Sequence, residues 1–197
     1  GLKINNLTRI PSSVSDLHNL EIFVHRGTNL GDSPFSTNAL VSLPKLKILD
    51  LSNSGILDLN DLWELQSLQK LYLNQNTIYD INPIWNKFSL EELSLNNTNV
   101  SDIRPIKGLK KLKKLNCGNT SIDNIDTLIG LNNLVFLSLE NTTLKYSSIE
   151  NLPLVLKPQK LSILNLRKVN IHNSELLAHL KELSYLELGE SSIKEIG

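Results

Sequence analysis

The stretch Leu65–Ile84, LQSLQKLYLNQNTIYDINPI, decides how the chain folds. Leu65, Leu68, Leu71, Leu73, Asn76, Ile78 and Ile81 form the pattern L-x-x-L-x-x-L-x-L-x-x-N-x-I-x-x-I. Read outward, the pattern restarts every 22 residues, at Leu43, Leu65, Lys87, Leu109 and Leu131. Lys87 breaks the first position of its copy, and Leu90, Leu93, Leu95, Val100 and Ile103 restore the rest. A 26-residue copy starts at Leu17, a 27-residue one leads to Pro158, and a last one starts at Leu180. Leu2, Asn5, Leu7 and Ile10, closed by Pro11, are the back half of a further copy. This implies eight repeats and a partial first one, in a single domain over 1–197.

Composition agrees. The 197 residues include 41 Leu, 24 Asn and 18 Ile, with no Met. Lys and Arg number 20, as do Asp and Glu, so the chain lacks the surplus cations that binding nucleic-acid phosphates requires. No apolar run approaches the ~18 residues of a membrane-spanning helix. A single Cys excludes an intramolecular disulfide. The chain starts with Gly and both starts and stops in mid-repeat, so it is expected to be part of a longer protein.

The repeats resemble the leucine-rich repeat family. The segments IYDINPI (Ile78–Ile84) and VSDIRPI (Val100–Ile106) look like its 22-residue class, found in bacterial internalins and in leucine-rich phosphatase regulators. LTRIPSSV (Leu7–Val14) looks more like the longer repeats of plant and animal receptors. The L-x-L pair has the two-residue period of a strand with both Leu facing inward. The three-residue spacing that follows fits an irregular or 3₁₀ return path. Pattern and resemblance together imply an α/β leucine-rich repeat solenoid. It would be a curved, right-handed coil, with a parallel sheet on its concave face and an irregular, 3₁₀ or short helical convex side. One repeat cannot bury enough surface to fold alone; stacking on its neighbours supplies the rest.

Local breaks carry their own expectations. The Asn position is held in turn by Asn5, Thr28, Ser54, Asn76, Thr98, Thr120, Thr142, Val169 and Ser191. Val169 cannot hydrogen-bond through its side chain, so a local irregularity is expected there. Inserted loops are expected at 145–160 and within 31–42, and a helical turn at 174–180. His25 falls on an inward Leu position. Either it is buried and hydrogen-bonded, or EIFVHR slips by one residue and turns Ile22 and Val24 inward.

Chemistry-bearing motifs are few. Cys117 sits on an inward Leu position, as a small buried residue would. His18, His25, His172 and His179 show no metal spacing, and no phosphate loop or nucleophile elbow occurs. No enzymatic activity, cofactor or metal is expected. The basic run Arg104–Lys114, RPIKGLKKLKK, reads as a solvated rim or an electropositive patch. Sequons at Asn6, Asn96, Asn99, Asn119 and Asn141 are frequent in any Asn-rich repeat.

The outward sheet positions are the informative ones, because the core does not need them. The row before the first strand Leu reads Ile22, Ile48, Lys70, Glu92, Lys114, Phe136, Ile163, Tyr185. The next row includes Val24, Tyr72 and Glu187, and the third includes Glu140 and Arg167. Ile22, Val24 and Ile48 form one apolar cluster, and Phe136, Ile163 and Tyr185 another; apolar groups with polar neighbours are what interface hot spots look like. These residues are the candidate contacts for a protein or peptide partner. The family resemblance implies a non-enzymatic recognition module, with a bacterial surface or host-directed protein as one setting. The alternative is the regulatory or substrate-targeting arm of an enzyme, such as a phosphatase regulator or a ubiquitin ligase. Oligomeric state, and a cytoplasmic as against a secreted or cell-surface location, stay open.

Overall fold

The computed structural model describes residues 1–5, 9–27, 36–156, 160–172 and 174–193, with the side chains of 4, 5 and 176 left aside. Nine parallel strands form one open sheet in chain order. They are β1 (Leu2–Asn5), β2 (Ile22–Arg26), β3 (Ile48–Asp50), β4 (Lys70–Tyr72), β5 (Glu92–Ser94), β6 (Lys114–Asn116), β7 (Phe136–Ser138), β8 (Ile163–Asn165) and β9 (Tyr185–Glu187). Each strand lies beside the next with the repeat positions in register, so Leu49, Leu71, Leu93, Leu115, Leu137 and Leu164 form one column. All six are essentially inaccessible to solvent. The sheet and column are those that the L-x-L spacing implies.

Each turn then closes in the same way. The residue two past the second inward Leu position takes a left-handed conformation: Asn53, Gln75, Asn97, Asn119, Asn141, Lys168 and Glu190, with φ between 52° and 60°. Asn is among the non-glycine residues most tolerant of that region, which accounts for part of the Asn excess. The return path is 3₁₀, at Asn60–Glu64, Asn82–Ile84, Arg104–Gly108 and Asp126–Leu128 among others. Its Leu and Ile residues join the strand leucines in one continuous core running from Ile10 to Ile171. Fully burying each such side chain contributes roughly 1.5–3 kcal/mol.

Most polar side chains inside this core are hydrogen-bonded to neighbours; the buried Ser148 hydroxyl has no partner among the described residues. Asn76 does the most. Its amide donates to the Leu51 and Leu73 carbonyls at 2.9 and 2.8 Å, and its oxygen accepts from the Ser54 and Ile56 amides at 3.1 and 2.9 Å. Thr98, Thr120 and Thr142 keep one bond each, to the carbonyl three residues back at 2.7 Å. His25 is fully buried with Phe23, so the strand has not slipped. Its Nδ1 is hydrogen-bonded to Ser54 Oγ at 2.8 Å, and that hydroxyl reaches the His25 carbonyl at 3.1 Å. Lys87 is buried too, and its Nζ donates to the Trp63 carbonyl at 2.7 Å and to Asn86 Oδ1 at 2.9 Å.

Two expectations are corrected. No irregularity appears at Val169: Lys168 keeps the left-handed φ of 59°. The Val169 amide donates to the Leu166 carbonyl at 3.0 Å, and the Ser191 hydroxyl of the following turn donates to the same oxygen at 2.7 Å. The next repeat supplies the bond that valine cannot. Residues 145–160 are not simply a loop, because two short helices, α1 (Tyr146–Glu150) and α2 (Leu152–Leu156), fill most of the insertion. Ile149, Leu152, Val155 and Leu156 are buried by it. Pro153 stands in the first turn of α2, where its missing N–H costs no helical bond. The turn expected at 174–180 is a 3₁₀ helix, Ser174–His179. Within 31–42, Asn38–Leu40 are also 3₁₀. Thr28, Asn6, Pro158 and residues 31–35 lie outside the described residues.

Candidate binding face

Strand alternation puts every residue of the three outward rows on the face of the sheet away from the core. Ile22, Val24, Ile48, Lys70, Tyr72, Glu92, Lys114, Phe136, Glu140, Ile163, Arg167, Tyr185 and Glu187 all retain solvent exposure there. Parallel register brings them side by side: Ile22 next to Ile48, Lys70 next to Glu92, Lys114 next to Phe136, and Ile163 next to Tyr185. A hollow of about 370 Å³ lies over β4 to β8, bounded by Tyr72, Glu92, Lys114, Asn116, Phe136 and Ile163.

The charges of the face are organised by Glu92. Tyr72 donates its hydroxyl to Glu92 Oε2 at 2.7 Å. Lys70 and Lys114 approach Oε1 from the two flanking strands at 2.9 and 3.4 Å. Burial opposes ionisation of this carboxyl. The bonds from Tyr72 and Lys70, with the charges of both lysines, outweigh it and hold Glu92 below the usual carboxylate range. Burial and the bond to Glu92 hold the Tyr72 phenol well above its ordinary value. Towards β2, Arg26 pairs with the buried Asp50. Towards β9, Arg167 pairs with Glu190 and lies 3.8 Å from Glu140, and Tyr185 donates to Glu187 at 2.9 Å. Between these groups runs an amide and hydroxyl ladder. In it, Ser94 Oγ donates to Asn74 Oδ1 at 2.5 Å, and Asn165 donates to Glu140 at 3.2 Å.

The apolar part is different. Phe136 and Ile163 are half-buried side by side, and Tyr185 is 52% exposed. The face is therefore charged and internally bonded at its centre, and apolar beside it.

Other features do not join this face. The basic run Arg104–Lys114 is split by the fold. Arg104 pairs with Asp102 at 2.6 Å, Lys113 pairs with Glu91 at 2.7 Å, and Lys114 alone reaches the sheet face. A larger hollow, about 640 Å³, opens between the return paths at Arg104 and Asp126. Of its ionic groups, Arg104 pairs with Asp102, and Asp123 with Lys145 outside the lining. Cys117 is fully buried, and burial pushes its thiol up to about 12, the opposite of an activated nucleophile. Among the described residues no cluster of His, Cys, Asp and Glu has metal-site geometry, and no helix is long and apolar enough to cross a membrane.

One feature escaped the reading of outward rows. Trp63, Trp85 and Phe88 are exposed on the return side, stacked edge-on with ring centres 6.3 and 6.2 Å apart. The signal was present: Trp63 and Trp85 occupy the same repeat position, 22 residues apart. Lys87 donates to the Trp63 carbonyl directly beside this cluster.

Comparison with known proteins agrees with this geometry. The family model for leucine-rich repeats, in two copies, matches residues 88–130. An internalin (InlF) of Listeria monocytogenes superposes with a TM-score of 0.80 at 25% identity, over 95% of this chain and 53% of that one. A second Listeria internalin, InlC2, gives 0.66 at 28% identity, over 81% and 76%. A leucine-rich repeat protein of Leptospira interrogans gives 0.79 at 24% identity, over 94% and 47%, a likeness of fold alone. No protein of curated function matches significantly. The chain folds as a leucine-rich repeat solenoid similar to those of the internalins. It spans about half the length of InlF and of the Leptospira protein. Its fold is typical of protein–protein interaction modules.

Proposed function

We propose that this protein is a non-enzymatic recognition module that grips a protein or peptide on the open face of its sheet. One observation carries the reading. A hollow flanked by Phe136 and Ile163 lies on a rigid sheet, made of side chains that the core does not use. Exposed aromatic and aliphatic groups ringed by polar ones match the make-up of energetic centres at interfaces. A bacterial protein suits the Listeria and Leptospira neighbours and the Asn- and Ile-rich composition. The internalin likeness favours a surface or host-directed role over an enzyme's targeting arm.

Affinity capture with wild type and a Phe136→Glu, Tyr185→Glu double variant tests it, with thermal unfolding as the check on folding. Proteins held by wild type and lost by the folded variant are expected. Equal capture by both removes the open face from consideration.

A further inference from the structure

The open face carries enough local chemistry to describe its partner. Glu92 is the obvious acidic contact, yet its oxygens are already engaged. Oε2 accepts Tyr72 at 2.7 Å, and Oε1 is shared by Lys70 at 2.9 Å and Lys114 at 3.4 Å. Its side chain is only 16% exposed, between lysines that are 37% and 57% exposed. A cationic partner would have to displace two ammonium groups to reach it. Glu92 therefore positions the lysines and does not itself receive the partner.

The lysines are not equivalent. Lys70 is within charge-assisted hydrogen-bond distance of Glu92, whereas the 3.4 Å of Lys114 is longer than such a bond. One carboxylate cannot neutralise two ammonium groups, so the surplus positive charge resides chiefly at the more exposed and less tightly held Lys114. The register sets Lys114 beside Phe136, and Phe136 beside Ile163. Strand spacing of about 4.8 Å puts an ammonium group and an apolar floor within roughly 5–10 Å of each other. On the β9 side the balance reverses: Glu140, Glu187 and Glu190 face Arg167 and Lys168. The face thus has a direction, positive at the centre, apolar next, and acidic beyond.

Resting on the reading of this face as the binding surface, we infer that the partner is a polypeptide segment that sets an Asp or Glu side chain on Lys114 and a large apolar side chain on Phe136 and Ile163. Residues i and i+2 of an extended segment lie about 7 Å apart on one side, and i and i+3 or i+4 of a helix about 5–6 Å. Either spacing matches the lysine-to-phenylalanine step. The acid points towards β4, because the carboxylates around Glu187 repel it from the other end. A single surplus cation suits one carboxylate and is too little for a polyphosphate backbone.

The probe is a random linear dodecapeptide library displayed against the immobilised protein. Wild type is expected to enrich peptides carrying Asp or Glu two to four positions from Phe, Trp, Leu or Ile. Binding of an enriched peptide should fall at least about tenfold with Lys114→Glu, less with Lys114→Gln, and weaken with added salt in wild type. Reselection on Lys114→Glu should bring Lys or Arg to the acidic position. Unfolding curves establish that each variant is folded. Enrichment of peptides without an acid, or unchanged binding by folded Lys114→Glu, overturns the inference and leaves the open face standing, provided that Phe136→Glu still abolishes binding. Peptides that bind the Phe136→Glu, Tyr185→Glu variant as well as wild type overturn both readings. A screen that enriches nothing overturns the inference.

Discussion

The middle turns, residues 65–142, and the turns that follow, 146–193, use the same repeat differently. In the middle every turn has 22 residues, every strand Leu is fully buried, and the outer wall is charged and hydrogen-bonded from Lys70 to Lys114, turning apolar at Phe136. After Thr142 the repeat lengthens to take in α1 and α2, the Asn position holds a valine, and the wall carries Ile163 and Tyr185. Leu164 is still buried in β8, but Leu186 of β9 is 37% exposed. The stack of strands passes through the insertion without a break in register. Core and wall are therefore set independently. Leucine spacing maintains the coil, and the character of the wall is free to change from one strand to the next.

The sharpest test compares one residue from each region. Leu93→Ala removes a fully buried side chain between two complete turns and should cost about 2–5 kcal/mol in urea unfolding. Leu186→Ala, at a position more than one-third exposed, should cost under about 1.5 kcal/mol. Equal losses would mean that the later turns are packed as firmly as the middle ones. Next in size is the Asn position. Asn76→Ala unpairs several buried backbone groups at once and should cost about 2–4 kcal/mol. Thr120→Val gives up one hydroxyl bond and should cost about 1 kcal/mol. A Thr120→Val loss as large as that of Asn76→Ala would show that the single bond, not the network, secures the turn.

Lys87 gives the middle region a dependence on pH. Burial lowers its pKa from 10.5 to about 8, against the opposing charge of Glu64. Between those values the unfolded chain holds a proton that the folded chain has released, so this group's contribution to stability rises with pH across that window. Cys117 acts in the opposite sense. Its thiol is pushed up from 9.0 to about 12, so stability falls as pH rises through that range. Subtracting the profile of a Lys87→Met variant cancels the cysteine and isolates the lysine. The wild type should gain on the variant from pH 8 upward, and a flat difference would mean that the ammonium group is not desolvated in the fold.

How much of this the residues alone disclosed follows the same division. The leucine column and the outward rows came from spacing, because a two-residue period forces alternate side chains to opposite faces; at His25 spacing left two registers open, and its burial with Phe23 decides between them. The character of the centre did not. Lys70, Glu92 and Lys114 alternate visibly in the sequence, but Tyr72 closing the second oxygen of Glu92 depends on side-chain reach between strands. The helices at 146–156 escaped because an insertion has no period to read. Trp63 and Trp85 were legible as a column, but their contact depends on how the return paths pack, which the repeat spacing does not specify.

The smallest expected effect tests the seam between the two regions. At Val169 the Leu166 carbonyl is satisfied by the Val169 amide and by Ser191 from the next turn. Threonine at that position could add the local hydroxyl bond that Thr98, Thr120 and Thr142 make. Two lone pairs are available on a carbonyl oxygen, and both already have donors. Val169 is buried, so in wild type the added hydroxyl lacks a free acceptor and Val169→Thr should cost about 1 kcal/mol. In a Ser191→Ala background the oxygen loses one donor, and the same substitution should recover about 0.5–1 kcal/mol. That coupling, read as a double-mutant cycle from unfolding curves, distinguishes a turn closed by its neighbour from one that never needed the bond. Additive effects would mean that residue 169 and Ser191 do not compete for the Leu166 carbonyl, and that the valine is tolerated because the backbone turn holds itself.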